Sequence, residues 1–288
     1  MLQRPPRDTR LDLLRGWLQL QIFASHAHGS LIGIWGISAA WGLSDSSEQF
    51  LFLSGFALGS VLVLKEHRAG PRAAWRDLML RVARLWRTHL IVVCGFAALV
   101  IATEMAFRWP GEAAAMGWSW LLVEPWLALP AAAILLYQPQ YMGILPVFIL
   151  CMLALALLIR GMERVGAWAL LPPLALYGAV QAWGWHLPGL GGTEVEFNPL
   201  AYVVVVLIPP RPMTPRAWPA QALAAAGRNS LNVFCLGLFF SYAAASLFRA
   251  FPGAVPWLDL PLVGGGALGL MAVAQAAERR RRDPALAR

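Results

Sequence analysis

The residues of this chain best suited to chemistry lie near its start, in the stretch RLDLLRGWLQLQIFASHAHGS that begins at Arg10. At 3.6 residues per turn, Asp12, Arg15, Gln19 and His26 fall within about 60° of one another on a helix wheel, one polar stripe on an otherwise apolar rod. Arg15 and His26 share a line on that wheel and stand three turns, ~16 Å, apart. An arginine at membrane depth costs at least about 2.5 kcal/mol if it faces lipid, so Arg15 is expected to face a protein interior or a wet cavity. His26 is the side chain whose ordinary pKa suits proton transfer at neutral pH. The competing reading is a histidine that hydrogen-bonds a neighbouring helix. Gln21 lies on the opposite face, and His28 is expected in the following loop.

Three further clusters carry potential chemistry. Ser44, Asp45, Ser46, Ser47 and Glu48 open a second apolar run. Asp45 or Ser44 is expected to cap that helix, with Glu48 where a capping-box acid belongs, which leaves one carboxylate to orient His26. Leu53, Ser54, Gly55 and Phe56 offer a small-residue surface for close helix approach. Arg81, Arg84 and Arg87 form a basic cluster that suits either contacts to anionic lipid or a seat for the phosphates of a cytosolic anionic ligand. No glycine-rich phosphate loop, zinc-ligand spacing or nucleophile elbow is present. Cys94, Cys151 and Cys235 all lie in apolar runs without paired spacing, which outlines neither a disulfide framework nor a metal site.

The elements that must position these residues follow from composition. The chain has 288 residues, of which 59% are hydrophobic and 13% charged. Its mean hydropathy is +0.59, so it has too few polar groups to cover a soluble globule. The net charge of +8 sits in short blocks between apolar runs, the pattern of cytoplasmic loops in a polytopic membrane protein rather than of a nucleic-acid-binding face. The basic N-terminus followed by an apolar run resembles a signal peptide, but the interruptions at Arg15, Gln19 and Gln21 favour a retained first helix.

The expected architecture is an all-α bundle of about eight membrane spans in one domain covering residues 1–288. The spans are placed at about 11–28, 46–64, a third ending near Ala106, 141–159, 165–183, 197–208, 228–248 and 258–276. The segment 117–136 contains Pro125 and Pro130 and is expected to be a re-entrant or interfacial helix. Basic loops (4–10, 65–87, 160–164, 211–228 and 279–282) alternate with loops carrying Asp45, Glu48, Glu104, Glu112, Glu194 and Glu196, so both termini are expected in the cytoplasm. Ser44 and Thr193 are then expected to be accessible from outside. No internal repeat of the kind found in many transporters is visible.

Six segments occur in a revealing order: RLDLLRG with its histidine ten intervening residues after Arg15, SDSSEQFLFLSGF, RTHL, LLYQPQYMGILP, FNPLAY and GRNSLNVFCLGLF. From Arg10 to Phe248 the chain thereby resembles the OpgC family, membrane proteins that place succinyl groups on osmoregulated periplasmic glucans. The Arg15 to His26 spacing and the SGF triplet also look like the broader acyltransferase-3 group. The resemblance implies an inner-membrane O-acyltransferase with a cytosolic acyl-CoA, such as succinyl-CoA, as donor and a periplasmic carbohydrate hydroxyl as acceptor. It implies no permanently bound cofactor, no metal and no nucleic acid, with membrane lipid as the surroundings.

Residue by residue, His26 matches the family's histidine, Arg15 its arginine, Asp45 and Glu48 its span-two acids, and Arg84 and Arg87, beside Arg81, its cytoplasmic arginines. Ser54, Asn198 and Asn229 are the expected substrate contacts, with Ser54 or Asn229 as oxyanion donor. Ser25 stands where the family usually has an aspartate before the histidine, and the chain is shorter than most members. Two readings of other classes remain beside the enzyme: a transporter or channel whose Arg15 and His26 stripe lines the substrate path, and a structural subunit whose polar residues join helices.

Overall fold

The computed structural model describes residues 8–42, 45–183, 189–193 and 218–282, and every regular element among them is helical. The chain divides into two compact units, one holding residues 5–54 and 201–288, the other 1–4 and 55–200.

In the first unit, α1 (Thr9–His26) starts at Asp8, whose carboxylate accepts from the Arg10 amide at 3.0 Å. The connection after His26 contains α2 (Leu31–Trp35) and a 3₁₀ turn, Ser38–Trp41, before α3 (Ser46–Ala69) begins. α10 (Trp218–Arg228) and α11 (Ser230–Ala250) pack directly against α1. The chain then passes a 3₁₀ turn, α12 (Val255–Asp259) and a π-helical turn over Leu260–Gly264 into α13 (Gly265–Arg282).

The α1–α10 contact is built from backbone rather than side chains. A Cβ added at Gly16 would lie 2.0 Å from the Leu223 carbonyl oxygen, and one at Gly227 would lie 1.8 Å from that of Asp12. Glycine at both positions lets the helices meet this closely, as small residues do in membrane bundles. Phe23, Ala24, Ala27, Ala225, Ala226, Val233, Ala244, Phe248, Leu270 and Ala274 form a core around that contact.

The second unit contains the rest of α3, whose chain crosses between units after Ser54, and the 37-residue α4 (Pro71–Phe107). At 1.5 Å per residue α4 is ~55 Å long, well beyond a ~30 Å bilayer core, so its basic first turns project out of it. His89, Val92, Val93, Phe96, Ala97, Val100 and Thr103 make its buried face, at the three- and four-residue spacing of a helix stripe. It packs on α7 (Pro125–Ala133) and α8 (Ile144–Val165). Phe96 stacks on Trp118 with ring centroids 5.8 Å apart, Tyr137 meets Trp118 and Trp120 edge-on, and the Tyr137 hydroxyl donates to the Gly117 carbonyl at 2.7 Å.

Five helical stretches are long and apolar enough to cross a membrane: Ser46–Ala69, Pro71–Phe107, Ile144–Leu176, Ser230–Ala250 and Pro252–Arg281. Their exposed side chains include Ile91, Met105 and Leu157, each more than two-thirds open, as lipid-facing surface requires. The expected count of eight is therefore not reproduced among the described residues. The first expected span is the 18-residue α1, whose polar stripe lowers its hydropathy. The sixth, 197–208, lies outside the described residues.

The fifth expected span, 165–183, is interrupted near its start: Gly166 takes a positive φ of 60°, and the chain becomes a 3₁₀ turn (Gly166–Leu170) and then α9 (Leu171–Trp183), which ends at the edge of the described residues. The expected helix at 117–136 is likewise replaced by short pieces. After α5 (Glu112–Ala115) come α6 (Ser119–Val123) and α7, divided at Glu124 because Pro125 must open a new helix. The basic loop expected over 211–228 is helix α10 from Trp218 onward. Thr193 is buried rather than accessible, its hydroxyl accepting from the Gln138 amide at 3.0 Å and donating to the Leu190 carbonyl at 2.8 Å. Ser44 lies outside the described residues.

Candidate active site

His26 is the last residue of α1 and is half-buried. Its Nδ1 lies 2.8 Å from the Ile22 carbonyl oxygen, one turn back on the same helix. A carbonyl only accepts, so Nδ1 carries the hydrogen and Nε2 is the ring's basic nitrogen. The Ser25 hydroxyl donates to the same carbonyl at 3.0 Å and lies 3.1 Å from Nδ1. The imidazole is thus oriented by its own helix.

The acids of α3 have structural partners. Asp45 caps the helix, its Oδ1 accepting from the Ser47 amide at 2.7 Å. Glu48 is half-buried in the first turn. What ties this end of α3 to α1 is Gln21, the residue on the opposite face of the polar stripe. Its Oε1 accepts from the Ser46 hydroxyl at 2.9 Å and from the Ser38 amide at 2.9 Å. Further along, the Arg15 guanidinium sits 5.7 Å from the centre of the Phe50 ring and donates to the Ser230 hydroxyl at 2.9 Å. These two rungs, Gln21 to Ser46 and Arg15 to Phe50, run α1 and the first turns of α3 antiparallel. Helix α1 meets α3 through long side chains, whereas its closest backbone approaches are to α10 and α11.

Between Arg15 and His26, Gln19 is 2% exposed, and neither its Oε1 nor its Nε2 has a hydrogen-bond partner among the described residues. The Ser54 hydroxyl, two turns along α3 from Ser46, is also buried without a partner. Asn229 is 4% exposed; its Nδ2 donates to the carbonyls of Ala225 at 3.0 Å and Ala274 at 3.4 Å. That leaves Asn229 an acceptor, the wrong polarity for an oxyanion.

Beneath Arg15, an ion network fixes the helix ends. Arg228 forms a forked pair with Glu278, through Nε to Oε1 and NH2 to Oε2, and its NH1 lies 3.8 Å from Oδ2 of Asp12, which is 5% exposed. Glu278 raises the pKa of the Arg228 guanidinium above its ordinary value. Beyond His26, Asp259 is 4% exposed and accepts from the Ser30 hydroxyl at 2.6 Å and the Ile32 amide at 2.8 Å, pinning the start of α2.

Arg81, Arg84 and Arg87 belong to the other unit, on α4. Arg81 is engaged: its Nε lies 3.2 Å from Oδ2 of Asp77, which also pairs with Lys65 at 2.9 Å. Arg84 and Arg87 are exposed and make no hydrogen bond or ion pair among the described residues. Asn198 lies outside them. No group of three histidine, cysteine, aspartate or glutamate side chains that could hold a metal occurs among the described residues.

Sequence reasoning passed over Gln21, Asp259, and the partnership of Arg228 and Glu278. Asp259 had a signal, as a single acid in the apolar run VPWLDLPLVGGG. The Arg228 pair had none, because its members stand 50 residues apart.

Long apolar helices and a polar seam along α1, ending in an oriented histidine, mark a helical membrane protein. Among known families, the one described as OpgC protein matches residues 7–202 and 195–282, and the chain belongs to it. That membership implies an acyltransferase role in glucan modification. Neither the curated proteins nor the solved structures contain a match.

Proposed function

We propose that the protein moves an acyl group, succinyl in the first instance, from cytosolic acyl-CoA to a hydroxyl of a periplasmic glucan or related envelope carbohydrate, as a multi-pass inner-membrane enzyme with both termini cytoplasmic. The observation that carries this reading is the His26 geometry. Nδ1 is committed to the Ile22 carbonyl, so Nε2 is the acceptor for a proton, at the end of the helix that also holds Arg15. Family membership supplies the reaction class.

In the mechanism, His26 Nε2 takes the hydroxyl proton as the carbohydrate oxygen attacks the thioester carbonyl, a contribution of typically about 10²–10⁴-fold. Collapse of the tetrahedral intermediate breaks the carbon–sulfur bond, and the imidazolium returns the proton to the departing thiolate. Ser54, with its unsatisfied hydroxyl, is the better oxyanion donor of the two candidates because the Asn229 nitrogen is already engaged. Arg15 holds the donor within the membrane, and Arg84 and Arg87 grip phosphates at the cytoplasmic surface. Asp45 and Glu48 set the opening of α3, beside the end of α1 that carries His26.

The test is a reconstituted reaction. Purified full-length protein in nanodiscs receives succinyl-CoA or acetyl-CoA with a periplasmic-type β-glucan, and thiol release and glucan mass are followed. A mass gain on the glucan matched by thiol release, lost in His26→Ala, supports the proposal. Thiol release without glucan modification, or none with any donor, overturns it.

A further inference from the structure

Between Arg15 and His26 the polar stripe holds a residue that the mechanism leaves unused. Gln19 is almost fully buried, lies on α1 between Arg15 and His26, and presents a carboxamide whose oxygen and nitrogen both lack partners among the described residues. A buried amide in that state loses free energy comparable to its missing hydrogen bonds unless something else supplies them. We propose that Gln19 is a binding residue for the pantetheine arm of the acyl donor, pairing with an amide of that arm. This inference rests on the acyl-CoA reading of the site.

Spacing identifies which amide. Gln19 lies seven residues before His26, ~10 Å along the helix axis. An extended chain advances ~1.2 Å per bond. From the thioester carbon, through sulfur, two methylenes, the first amide and two more methylenes, eight bonds lead to the nitrogen of the second amide, also ~10 Å away. With the thioester at His26, the second amide of the arm therefore stands level with Gln19. A secondary amide offers one N–H and one carbonyl, which match the acceptor Oε1 and the donor Nε2 of glutamine. Six more bonds lead to the first phosphorus, ~17 Å from the thioester carbon, and the eleven residues back to Arg15 span ~16 Å. The helix thus carries a histidine, an amide and a guanidinium at the spacing of a thioester, an amide and a diphosphate. α1 meets the start of α3 through the long side chains of Arg15 and Gln21 rather than by close backbone approach.

The test separates the arm from the nucleotide. Affinities for CoA and for adenosine 3′-phosphate 5′-diphosphate, which lacks the arm, are measured by calorimetry on the full-length protein in nanodiscs. Gln19→Met keeps side-chain length and removes both hydrogen-bonding groups; Gln19→Ala is the second variant. Loss of two neutral hydrogen bonds predicts about tenfold weaker CoA binding, with the nucleotide bound as by wild type. Wild-type affinity for CoA in both variants overturns the assignment while leaving the acyl-CoA reading intact. Equal loss of both ligands in both variants also overturns it and makes Gln19 a packing residue. A wild-type protein that binds neither ligand overturns the donor reading itself, and this inference with it.

Discussion

Replacing Gly227 with alanine tests whether the site depends on how closely α10 approaches α1. The added Cβ would stand 1.8 Å from the Asp12 carbonyl oxygen, 2.7 Å from its carbonyl carbon and 3.0 Å from the Gly16 nitrogen, all of them backbone atoms. No rotamer relieves this contact, so α10 must withdraw from α1 by more than an ångström. Overpacking of this kind costs ~1–3 kcal/mol, and a backbone-to-backbone clash belongs at the upper end. By the scaling of domains of this size, ~3 kcal/mol lowers the melting temperature by about 6–12 °C. The same withdrawal pulls Ser230, which begins the next helix, away from Arg15, now 2.9 Å from it. Donor affinity should therefore fall along with stability. The assay pairs thermal unfolding in detergent with CoA-binding calorimetry, and Gly178→Ala is the control, because a Cβ there meets nothing within 4 Å. A Gly227→Ala protein that melts within 2 °C of wild type and keeps its donor affinity would refute the reasoning.

Three further predictions follow from the site. His26→Ala should abolish acyl transfer without loss of donor binding, His28→Ala should be mild because that residue is exposed, and Asp45→Asn should lower turnover at unchanged donor affinity; initial-rate and binding measurements together decide this. Arg84→Gln with Arg87→Gln should weaken CoA binding by roughly tenfold or more, given about 1.5–3 kcal/mol for a hydrogen bond to a charged group. Arg81→Gln should change it little, because that guanidinium is already paired with Asp77. For topology, single cysteines at exposed Ala40 and Ala114, in a background without the three native cysteines, should react with an impermeant thiol reagent from the periplasmic side, and one at Arg76 only after the membrane is opened.

The C-terminal end of α1 and the start of α3 were legible as neighbours, because a short connection keeps sequential helices adjacent. Their bond through Gln21 was not. A wheel assigns Gln21 to the wrong face for the stripe, and only the path of the 3₁₀ turn brings the Ser38 amide and the Ser46 hydroxyl to it. The cap at Asp45 was visible because capping is local, set by the residue and the amides just after it. So was the presence of long apolar helices, which hydropathy marks, though not their number or their bounds. The breaks at Gly166 and Glu124 were harder to place, since apolar composition continues through both.

What the sequence by itself determined is the membrane character of the chain, the polar stripe of α1 and the family, because hydropathy, helical period and motif order are properties of the linear chain. Tertiary structure alone decided what each polar side chain does. The orientation of His26 comes from a carbonyl that no side-chain motif records. The pairing of Arg228 with Glu278 and its approach to Asp12 depend on α1, α10 and α13 converging, and that convergence rests on two glycines whose importance is the absence of an atom. Backbone groups and missing side chains leave little mark on composition or charge, and in this protein they set the geometry of the site.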